Sequence, residues 1–189
     1  MDTITVLGMD PSFSNWGYAK GTLNLKTMKL TIDSMWTTKT EPPKGKKKGV
    51  RVSSVDLERS RALNEALEEA CEGVQIAFVE VPSGSQSASG MKGYAVCIGT
   101  LGSCSVPMVE LSENDCKMRT VGKKSATKRE LITWAFERHP EAPWDMRNGE
   151  PQANNEHMAD AINAIYAGLD DQQFKSALTI VKYMNKLSA

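Results

Sequence analysis

Residues 4–10, ITVLGMD, limit the fold more than any other stretch. In an extended chain alternate side chains face opposite ways, so Ile4, Val6, Gly8 and Asp10 share one face and Thr5, Leu7 and Met9 the other. Apolar residues on both faces describe a buried central strand. The strand stops at Asp10-Pro11-Ser12, a turn signal.

Two more strands are predicted at WGYAKGTLNL (16–25) and KLTIDSMWT (29–37), joined by a short turn, giving three strands in antiparallel succession. Ser53-x-x-Asp56 fits a capping box, and Leu63, Ala66, Leu67 and Ala70 keep helical spacing, so a helix is expected from Ser53 or Ser54 to about Ala70. VQIAFVEV (74–81) reads as another buried strand, with Ile76, Phe78 and Glu80 on one face. A helix over 88–101 follows, bearing Gly90, Gly93 and Gly99, and then a fifth strand, VPMVEL (106–111). Ser125 is expected to cap a helix that ends before Pro140, and Asn155 to cap one that Gly168 closes. Residues 172–187 predict a last amphipathic helix. This order implies an α/β layered fold, a mixed five-stranded sheet flanked by helices.

At 189 residues the chain fits one domain over 1–170 plus a C-terminal helical extension over 171–189. A chain of this length buries roughly 70% of its unfolded surface and needs no disulfide. Cys71, Cys97, Cys104 and Cys116 form no Cys-x-x-Cys pair, and the N-terminus reads as a strand, so reduced thiols in a cytoplasmic protein are expected. No apolar run is long enough to span a bilayer. Formal net charge is zero, but the charge is unevenly spread. KGKKKGVR (44–51) and KKSATKR (123–129) are basic, whereas acids collect in 56–72 and 137–171. A local phosphate-binding face on a neutral molecule is the expected result.

Two apolar strands thus end on acids, Asp10 and Glu80, and neighbouring strand ends in such a sheet face one crevice. The stretch NNEHMADAINAIYAG (154–168) supplies more: His157 and Asp160 lie at the edge of a core stripe of Met158, Ile162, Ile165 and Tyr166. Acids from two strand ends and a helix N-terminus suit a pair of Mg²⁺ ions, with Mn²⁺ as a substitute, because hard cations want oxygen ligands.

These residues resemble the RuvC family of Holliday-junction resolvases, in the RNase H-like superfamily. GMDPSFSNWGYA is similar to that family's first strand and its Gly-x-Asp-Pro-Gly opening, with Ser12 in place of the glycine. AFVEVP resembles the second acid strand, VGKKSATKRE the segment before the last helix, and HMADAINA the acidic helix itself. The resemblance implies that Asp10, Glu80 and Asp160 are metal-binding catalytic acids, and that His157 takes the fourth position as the His subtype. Lys128 falls on a basic residue of the family and Lys117 resembles another; Glu156 matches no catalytic position. With Lys123, Lys124 and the loop residues Lys46, Lys47, Lys48 and Arg51, these lysines are the expected DNA contacts. The loop over 41–51 is longer and more basic than the family's, and no aromatic stands between Glu80 and Tyr94.

The implied activity is a crossover junction endodeoxyribonuclease: a homodimer, with the 88–101 helix as candidate interface, that nicks four-way DNA symmetrically by two-metal hydrolysis. A broader nuclease of flaps or branched DNA, or a non-catalytic DNA-binding module, are the alternatives. An actin-like ATPase also opens on Gly-x-Asp after a strand, but needs two such domains and a chain roughly twice as long.

Overall fold

A computed structural model describes residues 2–41 and 51–187, with side chains described as far as residue 179. Three strands, β1 (Thr3–Asp10), β2 (Asn15–Asn24) and β3 (Leu30–Lys39), run antiparallel in succession. Helix α1 (Val52–Cys71) leads to β4 (Ile76–Glu80), and α2 (Ala88–Leu101) leads to β5 (Met108–Leu111). Strands β4 and β5 lie parallel to β1, and the sheet order is β3-β2-β1-β4-β5. Four helices follow: α3 (Glu113–Thr120), α4 (Lys128–Arg138), α5 (Glu156–Leu169) and α6 (Gln172–Leu187). A two-stranded ribbon of β6 (Met146–Arg147) and β7 (Glu150–Pro151) lies between α4 and α5.

The alternation in β1 decides which layer covers which face. Val6 packs with Phe78, Ile162 and Ile165 on the α5 side, while Leu7 and Met9 pack with Leu63, Leu67 and Cys97 on the α1–α2 side. All of these side chains are essentially removed from water. The sheet is therefore a middle layer between α1 and α2 on one face and α3 to α6 on the other. Phe174 of α6 meets Phe78 edge-on with ring centroids 5.4 Å apart, so the start of the expected C-terminal extension belongs to the core.

Helix α5 lies closer to the sheet than ordinary side chains allow. A Cβ at Gly8 would overlap the carbonyl of Ala161, and one at Gly17 would overlap the carbonyl of His157. The two glycines remove the side chains that would hold α5 off the sheet. Gly168, expected to stop this helix, instead lies inside it under the Phe78 ring, and the helix runs on to Leu169.

Three local expectations about helix caps are refined, and one further helix is added. Helix α1 begins one residue after Arg51, with no side-chain cap, so Ser53-x-x-Asp56 is not its capping box. Thr127, not Ser125, caps α4, because Thr127 and Glu130 complete a reciprocal box that Ser125 cannot make. Asn155 does stand at the N-cap position of α5 but makes no side-chain cap bond; it is buried, and its amide ties down Asp145 and the carbonyl of Gln152. Helix α3 was not expected at all, although Ser112 and Asp115 form a full capping box at its start.

Candidate active site

Asp10 and Glu80 end neighbouring strands, and the register that pairs Met9 with Val79 brings the two acids to the same level on the α5 face. Strands pair about 4.8 Å apart, so the carboxylates must face each other's charge. Asp10 also pairs across to Gly17, the residue on which the His157 backbone rests. The close approach of α5 thus delivers His157 to Asp10: His157 Nδ1 lies 2.7 Å from Asp10 Oδ2. One turn on, Asp160 enters the same cleft, which has a volume of about 250 Å³. The four expected acid and histidine positions therefore do come together.

The turn after Asp10 is held by a residue that gave no sequence signal. Arg59 of α1 stacks its guanidinium 3.6 Å from the centroid of the Phe13 ring and donates to the carbonyls of Phe13 (3.1 Å) and Thr40 (2.9 Å). Ser12 Oγ accepts from the backbone N–H of Asn15 at 3.2 Å. The end of β1 is thereby anchored to α1, the end of β3 and the start of β2.

Crowded like charges leave their mark on the acids. Burial, and then the Asp10 charge, push the Glu80 carboxyl up to about 7, while the Cys116 thiol pulls it the other way. Burial, followed by Asp10, Glu80 and Glu156, raises Asp160 well above the usual carboxylate range. The hydrogen bond to Asp10 raises His157 against the effect of its burial. Folding therefore tightens proton binding at all three groups. For such groups stability is full below the unfolded pKa and is lost as pH rises through the folded one. In EDTA the melting temperature is expected to fall as pH rises from about 4.5 to about 7, the span between the unfolded and folded values of Glu80, and added Mg²⁺ to restore most of the loss at the upper end of that span. A melting temperature that is flat in pH and indifferent to Mg²⁺ would contradict the crowding.

Of the expected DNA-binding residues, Lys117 and Lys128 line the cleft. Each is held by an acid that also lines it: Lys117 by Glu113, and Lys128 by Glu156. Lys123 pairs with Glu130 at the start of α4, and Lys124 and Arg51 are exposed elsewhere. Lys46, Lys47 and Lys48 lie outside the described residues. Glu113, Glu156 and Cys116 are cleft residues that sequence reasoning left without a role. The other histidine, His139, is buried and satisfied by the Tyr166 hydroxyl at 2.9 Å, far from this chemistry in role.

No family model matches the chain, and no curated protein matches it in sequence. Solved structures do match in shape. RuvC of Thermus thermophilus in complex with a Holliday junction substrate superposes with a TM-score of 0.63 at 16% identity, over 87% of this chain and 92% of that one. The chain has the RuvC fold. A second structure, the fowlpox virus Holliday junction resolvase, superposes with a TM-score of 0.51 at 9% identity, over 88% of this chain and 98% of that one. The RuvC fold accounts for the mixed sheet and its flanking helices; the cleft chemistry is carried by this chain's own residues.

The donor set suits hard divalent cations: carboxylate oxygens, crowded so that a positive ion relieves their repulsion. Among the described residues no three His, Cys, Asp or Glu side chains already surround one point.

Proposed function

We propose that the chain is a divalent-metal-dependent endonuclease that resolves four-way DNA junctions as a homodimer. The observation that carries this reading is the convergence of Asp10, Glu80, His157 and Asp160 in one cleft of a RuvC fold, with Lys117 and Lys128 at its wall. The Thermus protein was seen with a Holliday junction substrate, and the fowlpox protein is a Holliday junction resolvase. A binding module would gain nothing from aiming carboxylates at phosphate.

Bound among these carboxylates, Mg²⁺ or Mn²⁺ would supply an activated water and offset charge on the leaving oxygen. The chain's own residues do the rest. Asp10 and Glu80 are fixed by the sheet, so their positions relative to each other need no reorganisation. Asp160 and His157 come in on a helix seated directly against Gly8 and Gly17. His157, linked to Asp10, can hold a proton beside the reacting phosphodiester as water adds to phosphorus and the P–O bond breaks. Lys128 and Lys117 exchange their acid partners for phosphate oxygens. A second hollow of about 390 Å³ shares Asp10 and Glu80 with the cleft and passes over Pro82, Ser83 and Asn114, giving the strand a path across the acids. For the dimer, α2 presents exposed Met91 and Ile98.

The test compares cleavage rates on a four-way junction, a flap and a linear duplex built from the same arms. Faster cutting of the junction is expected, in Mg²⁺ or Mn²⁺. Equal rates on the flap would make the enzyme a general nuclease of branched DNA, and equal rates on the duplex would remove structure selectivity altogether.

Among the described residues no helix is long and apolar enough to cross a membrane.

A further inference from the structure

Behind the cleft carboxylates stands a polar side chain with no visible use. Asn163 lies three residues beyond Asp160 on α5, is 0% exposed, and has no hydrogen-bond partner for either Oδ1 or Nδ2. Around it on the helix, Ala161, Ile162, Ala164 and Ile165 are all buried and apolar. Leaving a buried amide unpaired is costly, because both its ends give up water for nothing. An alanine or a leucine would fit this stretch of helix without that cost.

Residues three apart on a helix lie side by side, so the Asn163 amide and the Asp160 carboxylate are neighbours. The amide already favours the charged form of Asp160, opposing burial and the surrounding acids, yet it makes no hydrogen bond of ordinary geometry. The donor thus lies close enough to act on the Asp160 carboxylate, but outside the geometry of a full hydrogen bond.

We propose that Asn163 is a positioning residue: its Nδ2–H donates to the Asp160 carboxylate when that group holds a divalent cation, and keeps it in one orientation. This rests on the reading of the cleft as a metal site. The orphaned amide is then a feature of the cation-free protein, completed on cation binding, and it acts as groups behind metal ligands do in orienting them.

The full-length variants Asn163→Leu and Asn163→Ala test this by two measurements. One is the melting temperature in EDTA and in rising Mg²⁺; the other is the Mg²⁺ concentration for half-maximal junction cleavage. In EDTA both variants are expected to melt at or above the wild type, because an unpaired amide is gone. Mg²⁺ is expected to raise their melting temperature less than it raises that of the wild type. The Mg²⁺ midpoint should rise by about tenfold, the loss of one hydrogen bond to a charged group. Cleavage at saturating Mg²⁺ should largely recover. A purely structural asparagine would change the melting temperature in EDTA and leave the Mg²⁺ response alone, so an unchanged midpoint and an unchanged Mg²⁺-dependent rise overturn the proposal. Asp160→Asn, measured alongside, separates the two possible failures. If it loses the Mg²⁺ response while the Asn163 variants keep theirs, only the role of Asn163 is wrong. If Asp160→Asn keeps the response, the cleft is not the metal site and both ideas fall.

Discussion

Asp10→Asn is expected to lower junction cleavage by at least about a thousandfold, the rate equivalent of roughly 4 kcal/mol. Asp10 acts on three of its cleft neighbours at once: its charge raises Glu80 and Asp160, and its carboxylate bonds His157. An amide keeps the shape of the side chain but removes one negative oxygen and the ability to neutralise a cation. Fold and junction affinity should survive, since Asn fits the same strand end and the cleft loses an anion that repels phosphate. Two gel measurements check this, cleavage in Mg²⁺ and junction binding in Ca²⁺. Near wild-type cleavage would remove Asp10 from the chemistry, and a joint loss of cleavage and binding would assign it to structure.

Gly17→Ala is expected to damage both stability and rate, although the residue is buried beneath α5 and offers no side chain to the chemistry. A methyl group there would overlap the His157 carbonyl, so α5 must lift at its first turn. Overpacking of this kind costs about 1–3 kcal/mol, or a fall of about 2–12 °C in melting temperature for a chain of this size. The same lift moves His157 and Asp160 away from Asp10, and a displacement of about 1 Å in a catalytic group can cost about a hundredfold in rate. Gly99→Ala is the control for stability. Nothing lies within 4 Å of its added methyl, and it sits inside α2, where alanine favours the helix over glycine. Thermal melts of the two variants should diverge, and single-turnover cleavage by Gly17→Ala should fall below the wild type; a Gly17→Ala protein that melts and cuts like the wild type would mean that α5 does not depend on its glycine seat.

Both predictions rest on features of unequal legibility in the sequence. The alternation of β1 and the acids that end β1 and β4 could be read directly, because a period of two and a terminal carboxylate are local facts. The same holds for His157 and Asp160 at the edge of the α5 core stripe, whose Ile162 and Ile165 are fully buried as expected. Gly8 and Gly17 could not be read as a helix seat, since their meaning depends on where a helix some 150 residues away comes to rest. Helix α3 was missed because ENDCKMRT has almost no apolar face; Cys116 is its one buried residue, and only the Ser112–Asp115 box announced it. The sequence shows that Lys117 and Lys128 are cationic, but not that Glu113 and Glu156 hold them, because the partners come from residues brought together by the fold or by a helix turn that was not foreseen. Arg59 is equally silent in sequence, one arginine on a charged helix until Phe13 and Thr40 are placed against it.

The most direct measurement is to map the nicks that the purified protein makes in an end-labelled four-way junction, in Mg²⁺ and in EDTA. Paired nicks at symmetric positions on opposed strands, present with Mg²⁺ and absent in EDTA, are the predicted result. Cutting that persists in EDTA, or an intact junction under both conditions, would contradict the assignment of the Asp10–Glu80–Asp160 cleft as a metal-dependent resolving centre.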